Sequence, residues 1–161
     1  MEKMRRADRQ IVDFNEILEV LDKTDVIFLA LSENNNPYLM PLNFGYEVEN
    51  GVLFLYLHGA KEGKKHNIIA QNPKVCFSGV SYYEVVETGA NHWTTLYKSV
   101  IGYGIISEVK DIDLKIKGLD LSLKQYGLER KIEYAPQALE AVKVMRIEVK
   151  EITGKRNLRK G

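Results

Sequence analysis

The chain has 161 residues, of which 45% are apolar and 28% charged, as is typical of one soluble globular domain. Its 23 basic and 22 acidic side chains give a net charge of +1, so it lacks the excess of cations that nucleic-acid binding requires. A single cysteine, Cys76, excludes an intrachain disulfide. Because no apolar stretch could span a bilayer or serve as a signal peptide, we expect a cytoplasmic protein that binds neither membranes nor nucleic acids.

The first part of the chain is predicted to contain one helix and three strands. The turn over residues 33–37 is indicated by asparagines, which tolerate a left-handed backbone, and by proline. The Asn50-Gly51 pair favours a type I′ hairpin turn. Apolar spacing predicts a helix over residues 13–23 and strands over 26–32, 38–47 and 52–58. The last of these strands has consecutive apolar residues, so we expect helices or a second subunit to cover its outer face.

The second part is predicted to continue with long strands and short helices. The residues between positions 88 and 95 are interpreted as a loop, and Gly102 with Gly104 indicates a bulge in the strand that follows. The predicted elements are a helix over 64–72, strands over 74–87 and 97–110, helices over 111–127 and 135–141, and a strand that begins at residue 142. This order favours an α+β, mostly-β domain built on an antiparallel barrel over a parallel doubly wound sheet.

A lysine-rich loop joins the third strand to the next helix. Gly59 and Gly63 allow close approach of the backbone to a ligand. A helix beginning at Gly63 presents free N–H groups, and Lys64 and Lys65 add full positive charges beside them. The pattern fits a phosphate cradle but lacks the P-loop spacing, and a solvated loop explains it equally well.

Three further positions could contact a ligand. His58 could exchange protons near neutral pH, or it could simply cap the rim of the barrel. Asn43 could pair with a flat heterocycle or bond its own backbone. Trp93, followed by Thr94 and Tyr97, could stack on a planar ligand or belong to a surface loop. The histidines lack zinc-ligand spacing, so we predict no metal site.

The ordered segments "PLNFGY", "YLHGAKEGKK" and "NPKVCF" resemble the pyridoxamine 5′-phosphate oxidase-like family. Within that family, the chain is similar to the nitroimidazole-resistance branch of the FMN-binding split-barrel proteins. The resemblance runs from Met4 to Lys155. It implies a six-stranded antiparallel split β-barrel with flanking helices over residues 1–155. The polar residues 156–161 are expected to form a frayed basic tail. The resemblance also implies a homodimer with the flavin site at the subunit interface.

The resemblance further implies FMN as the cofactor, with FAD or haem as alternatives. Lys64 and Lys65 are expected to neutralise the FMN phosphate next to Gly63. His58 is expected to be the catalytic residue that positions an acceptor or supplies a proton. The residues expected to contact the substrate are Trp93 and Thr94. The other flavin contacts carried over from the family are Pro41, Leu42, Asn43, Phe44, His58, Gly59, Ala60, Tyr97, Ser99 and Val100.

The activity implied is that of a flavin-dependent oxidoreductase, which accepts hydride from NAD(P)H and delivers electrons to a small molecule. In the nitroimidazole-resistance branch that acceptor is a nitro group. Oxidation of pyridoxamine phosphate itself is not expected, because the strands near the site supply only Lys98 where true oxidases carry more basic residues. The alternative is a non-catalytic carrier or sensor that binds flavin or haem, with His58 as the axial haem ligand.

Overall fold

Eight strands form one antiparallel sheet in the computed structural model, which describes residues 4–130 and 132–158. A 3₁₀ turn over Ala7–Arg9 precedes the first strand. In chain order the elements are β1 (Gln10–Ile11), α1 (Phe14–Asp22), β2 (Ile27–Glu33), β3 (Asn36–Leu42), β4 (Phe44–Glu49), β5 (Val52–Ala60), α2 (Lys64–Gln71), β6 (Lys74–Gly89), β7 (His92–Glu108), α3 (Ile112–Gln125), α4 (Pro136–Ala141) and β8 (Val142–Asn157).

The sheet is a barrel that is open along one side. Its strand order is β3-β2-β6-β7-β8-β5-β4, with β1 added to β8. The two edge strands β3 and β4 are joined by Asn43 alone, so the edges of the sheet lie near each other in space although they are not hydrogen-bonded. The predicted split barrel is confirmed with eight strands in place of six, because the strand expected over 38–47 is divided at Asn43 and the short β1 is added.

Strand β5 is buried on both faces, as its continuous apolar run predicts. Leu53, Leu55 and Leu57 belong to the core inside the barrel, to which the other seven strands and helices α1 and α2 also contribute, β3 through partly buried residues. Phe54 and Tyr56 point to the other side and pack in a second core with residues of α3 and α4. The helices therefore cover the outer face of β5, which is one of the two coverings that the sequence predicts.

The short turns follow the asparagine-rich signals of the sequence. Asn34 and Asn35 both have positive φ, and they connect the paired residues Glu33 and Asn36 at the β2–β3 hairpin. Asn50 and Gly51 do the same between β4 and β5. Positive φ at both central residues is the geometry of the type I′ turn, which matches the twist of the flanking strands. The bulge expected near Gly102 and Gly104 is confirmed as a register shift between residues 103 and 104.

The prediction of a loop over residues 88–95 is wrong. Gly89 pairs with His92, so β6 and β7 continue to a tight turn at Ala90 and Asn91. Glycine, threonine and asparagine are typical of loops, but cross-strand pairing over this long hairpin overrides their weak local preference. Trp93 and Thr94 are therefore strand residues.

The last strand is longer than expected and includes part of the predicted tail. β8 extends to Asn157, whose side-chain amide donates hydrogen bonds to the carbonyl of Thr95 at 2.5 Å and to the hydroxyl of Thr94 at 3.4 Å. Arg156 forms an ion pair with Glu16 on α1. Residues 159–161 of the predicted tail lie outside the described residues. Over residues 4–130 and 132–158, no helix has the length and apolar character needed to cross a membrane.

Helix α3 lies against β4 at backbone contact, which only glycine permits. A Cβ atom on Gly45 would lie 2.3 Å from the carbonyl carbon of Leu121. We expect Gly45→Ala to destabilise the protein by about 1–3 kcal/mol or more, because the helix has to move away from the sheet. Denaturant unfolding followed by circular dichroism measures this change. Val48→Ala, at an exposed position on the same strand, is the control and should shift stability by at most about 0.5 kcal/mol. Equal effects of the two substitutions would contradict the packing argument.

Candidate functional site

The loop between β5 and α2 ends at the N-terminus of helix α2. Gly63 is the N-cap residue and has a φ of 134°, a conformation that favours glycine. The backbone N–H of His66 donates to the carbonyl of Gly63 at 3.1 Å, which begins the helix. The N–H groups of the first helical residues have no partner within the helix, so they and the helix dipole form an electropositive end.

Lys65 extends back from this helix across the end of β5. Its ammonium nitrogen lies 3.4 Å from the point that a Cβ atom on Gly59 would occupy. The ammonium group therefore lies in van der Waals contact with the end of β5 at Gly59. Lys65 is half-buried, so its charge is held at a defined place.

His66 connects the helix to the strand from the other side. Its Nε2 lies 2.8 Å from the carbonyl oxygen of Ala60, the last residue of β5. The carbonyl can only accept, so Nε2 is the donor. Our sequence reasoning did not identify this role, since a contact between a helix and the end of a strand follows no spacing rule. His66 positions α2 so that Lys65 reaches Gly59.

Lys64 points in a different direction from Lys65. Its ammonium group lies 3.9 Å from Glu33 Oε2 and 5.2 Å above the ring of Tyr38, both on the β2–β3 hairpin. The two lysines that the sequence treats as a pair therefore diverge. Lys65 faces the end of β5, while Lys64 is largely exposed and neutralised in part by Glu33.

A narrow crevice lies beside Gly59, Lys65 and His66. Its volume is about 10 Å³, which is room for roughly one water molecule. Ligand pockets usually measure about 300–1,000 Å³. One chain therefore provides the floor of a site and not an enclosed pocket. The crevice is lined by Leu29, Leu42, Leu57, His58, Gly59, Lys65, His66, Ile69, Ile106, Lys143 and Met145.

His58 lies at the edge of the crevice, with its side chain reaching solvent. Partial loss of hydration next to the protein lowers the pKa of its imidazole below the ordinary value of 6.5. The ring is therefore neutral at pH 7, with one N–H to donate and one nitrogen lone pair to accept.

The predicted residues of the "PLNF" segment differ in accessibility. Pro41 is exposed on the edge strand β3, and Leu42 lines the crevice. Phe44 is completely buried in the barrel core, so its side chain cannot line a ligand site as the resemblance implies. Asn43 is exposed and is the single residue between β3 and β4. The hydroxyl of Tyr126, at the end of α3, donates to the carbonyl of Asp25.

The predicted residues of β7 lie far from the crevice within one chain. Ile106 is the β7 residue that lines the crevice, and Ser99 is seven positions away. At a rise of about 3.3 Å per residue, Ser99 is more than about 20 Å along the strand, and Tyr97, Thr94 and Trp93 are farther still. Val100 is 1% exposed and belongs to the core. The structure therefore brings together the residues of β5, α2 and β3 but not those of β7.

This fold is shared with known proteins. The family model described as pyridoxamine 5′-phosphate oxidase matches residues 13–156. A Bacteroides thetaiotaomicron structure, described provisionally as a 5-nitroimidazole antibiotic resistance protein, is 28% identical and has a TM-score of 0.81. That match covers 91% of this chain and 85% of the other. No curated protein matches this chain.

Two more distant structures share the fold. The FAD and heme binding protein from Mycobacterium smegmatis is 18% identical with a TM-score of 0.79, covering 94% of this chain and 74% of that one. A FAD-binding protein from Mesorhizobium loti is 21% identical with a TM-score of 0.65, covering 93% and 98%. Because the family model spans most of the chain and the split barrel is the observed fold, this protein belongs to the pyridoxamine 5′-phosphate oxidase family.

Proposed function

We propose that this protein binds a flavin at the interface of a homodimer and acts as a flavin-dependent oxidoreductase. The observation that carries the proposal is the cation of Lys65, placed over Gly59 and beside the N-terminus of α2. A phosphate group is the ligand that such a combination of lysine, backbone N–H groups and helix dipole binds best. The residues present therefore fit the phosphate end of FMN.

The rest of the site suits the flat part of a flavin. Leu42 and the exposed Pro41 offer an apolar edge, and the backbone at Gly59 is open to close approach. When bound, a flavin supplies the acceptance and release of electrons, which no side chain here could provide. The electron donor in this proposal is NAD(P)H and the acceptor is a nitro compound. The similarity to the Bacteroides protein supports the choice of acceptor.

His58 supplies a neutral imidazole at the mouth of the site. Its lowered pKa means that it carries a single ring proton at pH 7. It can therefore donate one hydrogen bond to a polar substrate atom and accept another, without placing a positive charge next to Lys65. This is a positioning role that exposure to solvent makes accessible to an incoming molecule.

The outer face of the barrel carries an apolar patch that fits a second copy of the chain. The pairing of β2 with β6 and of β6 with β7 places two rows of side chains next to each other on one face of the sheet. One row across β2, β6 and β7 is Phe28, Ser78 and Ile101, and the next row is Ala30, Cys76 and Tyr103. Phe28, Ile101 and Tyr103 are each 44–53% exposed. Contiguous exposed apolar surface of this kind marks an interaction site.

At two positions the outer patch and the crevice lining occupy opposite faces of the same strand. Pro41 and Ile105 are exposed on the outer face, and their neighbours Leu42 and Ile106 line the crevice. In the proposed dimer the second copy supplies the missing wall. Beyond residues 83 and 97, β6 and β7 pair only with each other and form an arm that carries the exposed Trp93. In the proposed dimer this arm can bring the distant predicted residues Trp93 and Thr94 toward the partner's crevice.

We expect Lys65→Glu to weaken FMN binding much more than Lys64→Glu. A charge-assisted contact contributes about 1.5–3 kcal/mol, so loss of Lys65 should raise the Kd for FMN roughly tenfold or more. Lys64 is an exposed, paired residue, and its reversal should change the Kd by less than about threefold. The Kd of each variant is measured by titrating FMN into the apoprotein and following flavin fluorescence. The two substitutions make the same change in charge, so each is a matched control for the other. If Lys64→Glu has the larger effect, the phosphate is not held at Lys65.

We expect the imidazole of His58 to titrate below pH 6.5 in the folded protein. The unfolded state then binds more protons than the folded state at acidic pH, so stability is complete above the unfolded pKa and falls as pH drops through the lowered folded pKa. NMR titration of the histidine rings gives the pKa directly. Denaturant unfolding at pH 7.5 and pH 5 should show a smaller pH-dependent loss for His58→Gln than for wild type. A pKa at or above 6.5 would falsify the desolvation argument.

We expect Ile101→Glu to separate the dimer, because a charge in the middle of the outer patch is costly to bury. Sedimentation velocity should give a dimer for wild type and a monomer of 18.4 kDa for the variant, with loss of flavin retention. Val48→Glu is the control, since Val48 is 41% exposed on β4 and lies outside the patch. A monomeric wild-type protein that retains flavin would refute the interface proposal.

A further inference from the structure

A large cleft lies beside the crevice and has no role in the function proposed so far. Its volume is about 740 Å³, within the range of small-molecule sites. It is bounded by the segment after β5, the segment after β7, the first turn of α3, helix α4 and the start of β8. Its apolar surface comes from Val109, Ile112, Pro136, Leu139 and Val142. A flat, uncharged ring fits a surface of this composition.

The cleft adjoins the proposed phosphate site. Lys143 lines both the crevice and the cleft. In the β5–β8 ladder, Gly59 pairs with Lys143 and Ala60 pairs with Val142, so the cleft begins one strand spacing, or about 5 Å, from Gly59. Lys61, the residue that follows Ala60, is on the cleft side. A ligand held at Lys65 can therefore extend into the cleft without crossing the barrel.

The cleft is lined by more cations than anions. Lys115 donates to the carbonyl of Leu139 at 2.5 Å, and Lys143 forms an ion pair with Glu108 at 3.3 Å. Lys61 and Lys110 have no ion pair with any residue in the described part of the chain, and both are exposed at the rim. Two unpaired ammonium groups beside an apolar floor complement an anion attached to a flat ring.

We propose that this cleft binds the adenylate moiety of a dinucleotide, with the phosphate at Lys61 and Lys110 and the base on the apolar floor. The orientation rests on the proposed function, because the cleft adjoins the flavin phosphate site at Lys65. Two dinucleotides contain this moiety: FAD, in which it continues from the flavin, and a reduced nicotinamide cosubstrate. The cleft thus either selects FAD over FMN or holds the electron donor next to the flavin.

The primary test uses adenosine 5′-monophosphate alone, titrated into the full-length protein by isothermal titration calorimetry. Wild type should bind the probe, and the double variant Lys61→Glu/Lys110→Glu should bind it at least roughly tenfold more weakly. The control Lys23→Glu/Lys74→Glu makes the same charge change at two exposed lysines outside the cleft and should leave binding unchanged. Ile112→Trp fills the cleft without changing charge and should also weaken binding. No binding to wild type, or equal binding to all variants, overturns the proposal.

Flavin titrations separate this inference from the proposed function. If adenosine monophosphate binds but FMN does not, the cleft is confirmed and the flavin proposal fails. If FMN binds and adenosine monophosphate does not, the flavin proposal stands and the cleft assignment fails. An affinity for FAD at least roughly tenfold above that for FMN, lost in Lys61→Glu/Lys110→Glu, assigns the adenylate to FAD. Equal affinities for FMN and FAD, together with competition between adenosine monophosphate and NADPH, assign it to the cosubstrate.

Discussion

Burial of β5 on both of its faces is the constraint on which the rest of the structure depends. The barrel core takes Leu53, Leu55 and Leu57, and the helical layer takes Phe54 and Tyr56. Complete burial of each such side chain contributes about 1.5–3 kcal/mol, so the strand cannot slide or turn without a large loss. A shift by one residue would exchange the two faces. The end of β5 is therefore fixed, and with it the positions of Gly59, Ala60 and the helix that follows.

The polar groups of the proposed site depend on that fixed strand end. The hydrogen bond from His66 to the Ala60 carbonyl attaches α2 to the strand, and the Lys65 ammonium lies beside Gly59 at the end of that strand. Neither lysine could act as a defined phosphate ligand on a free loop, because each would lose side-chain entropy on binding. The contacts of Lys64 with Glu33 and Tyr38 show that neighbouring cations can be held for different purposes.

Two further surfaces enter the proposals for the site. One is the outer apolar patch, which includes Phe28, Ile101 and Tyr103. The other is the cationic cleft beside α3 and α4. The crevice is too small to enclose a cofactor, so both proposals extend the site outward: toward a second chain across the patch, and toward an adenylate in the cleft. The barrel supplies a rigid floor common to both.

Much of the fold could be predicted because its signals are local. The pattern of apolar residues indicates most of the strands, Asn50-Gly51 indicates a type I′ turn, and the asparagines over residues 33–37 indicate a turn. The hairpin at residues 90–91 was missed because pairing between long strands overrides weak turn preferences. The division of the predicted strand at Asn43 does not follow from the sequence. Proline and asparagine also occur within single edge strands, so Pro41 and Asn43 do not mark a break. The loop cations and His58 were predicted as site residues, and the structure places Lys65 and His58 at one crevice.

The sequence by itself determined most of the helices and strands, the two hairpin turns marked by asparagine at residues 33–37 and 50–51, and the apolar filling of β5, because these features depend on residues close in the chain. Only the tertiary structure decided that Lys65 and not Lys64 faces Gly59, that Phe44 and Val100 are core residues, and that Lys143 joins the crevice to a cleft. The direction of a side chain depends on which distant elements pack around it. Residues far apart in the chain, such as Gly59 and Lys143, become neighbours only through the register of the sheet.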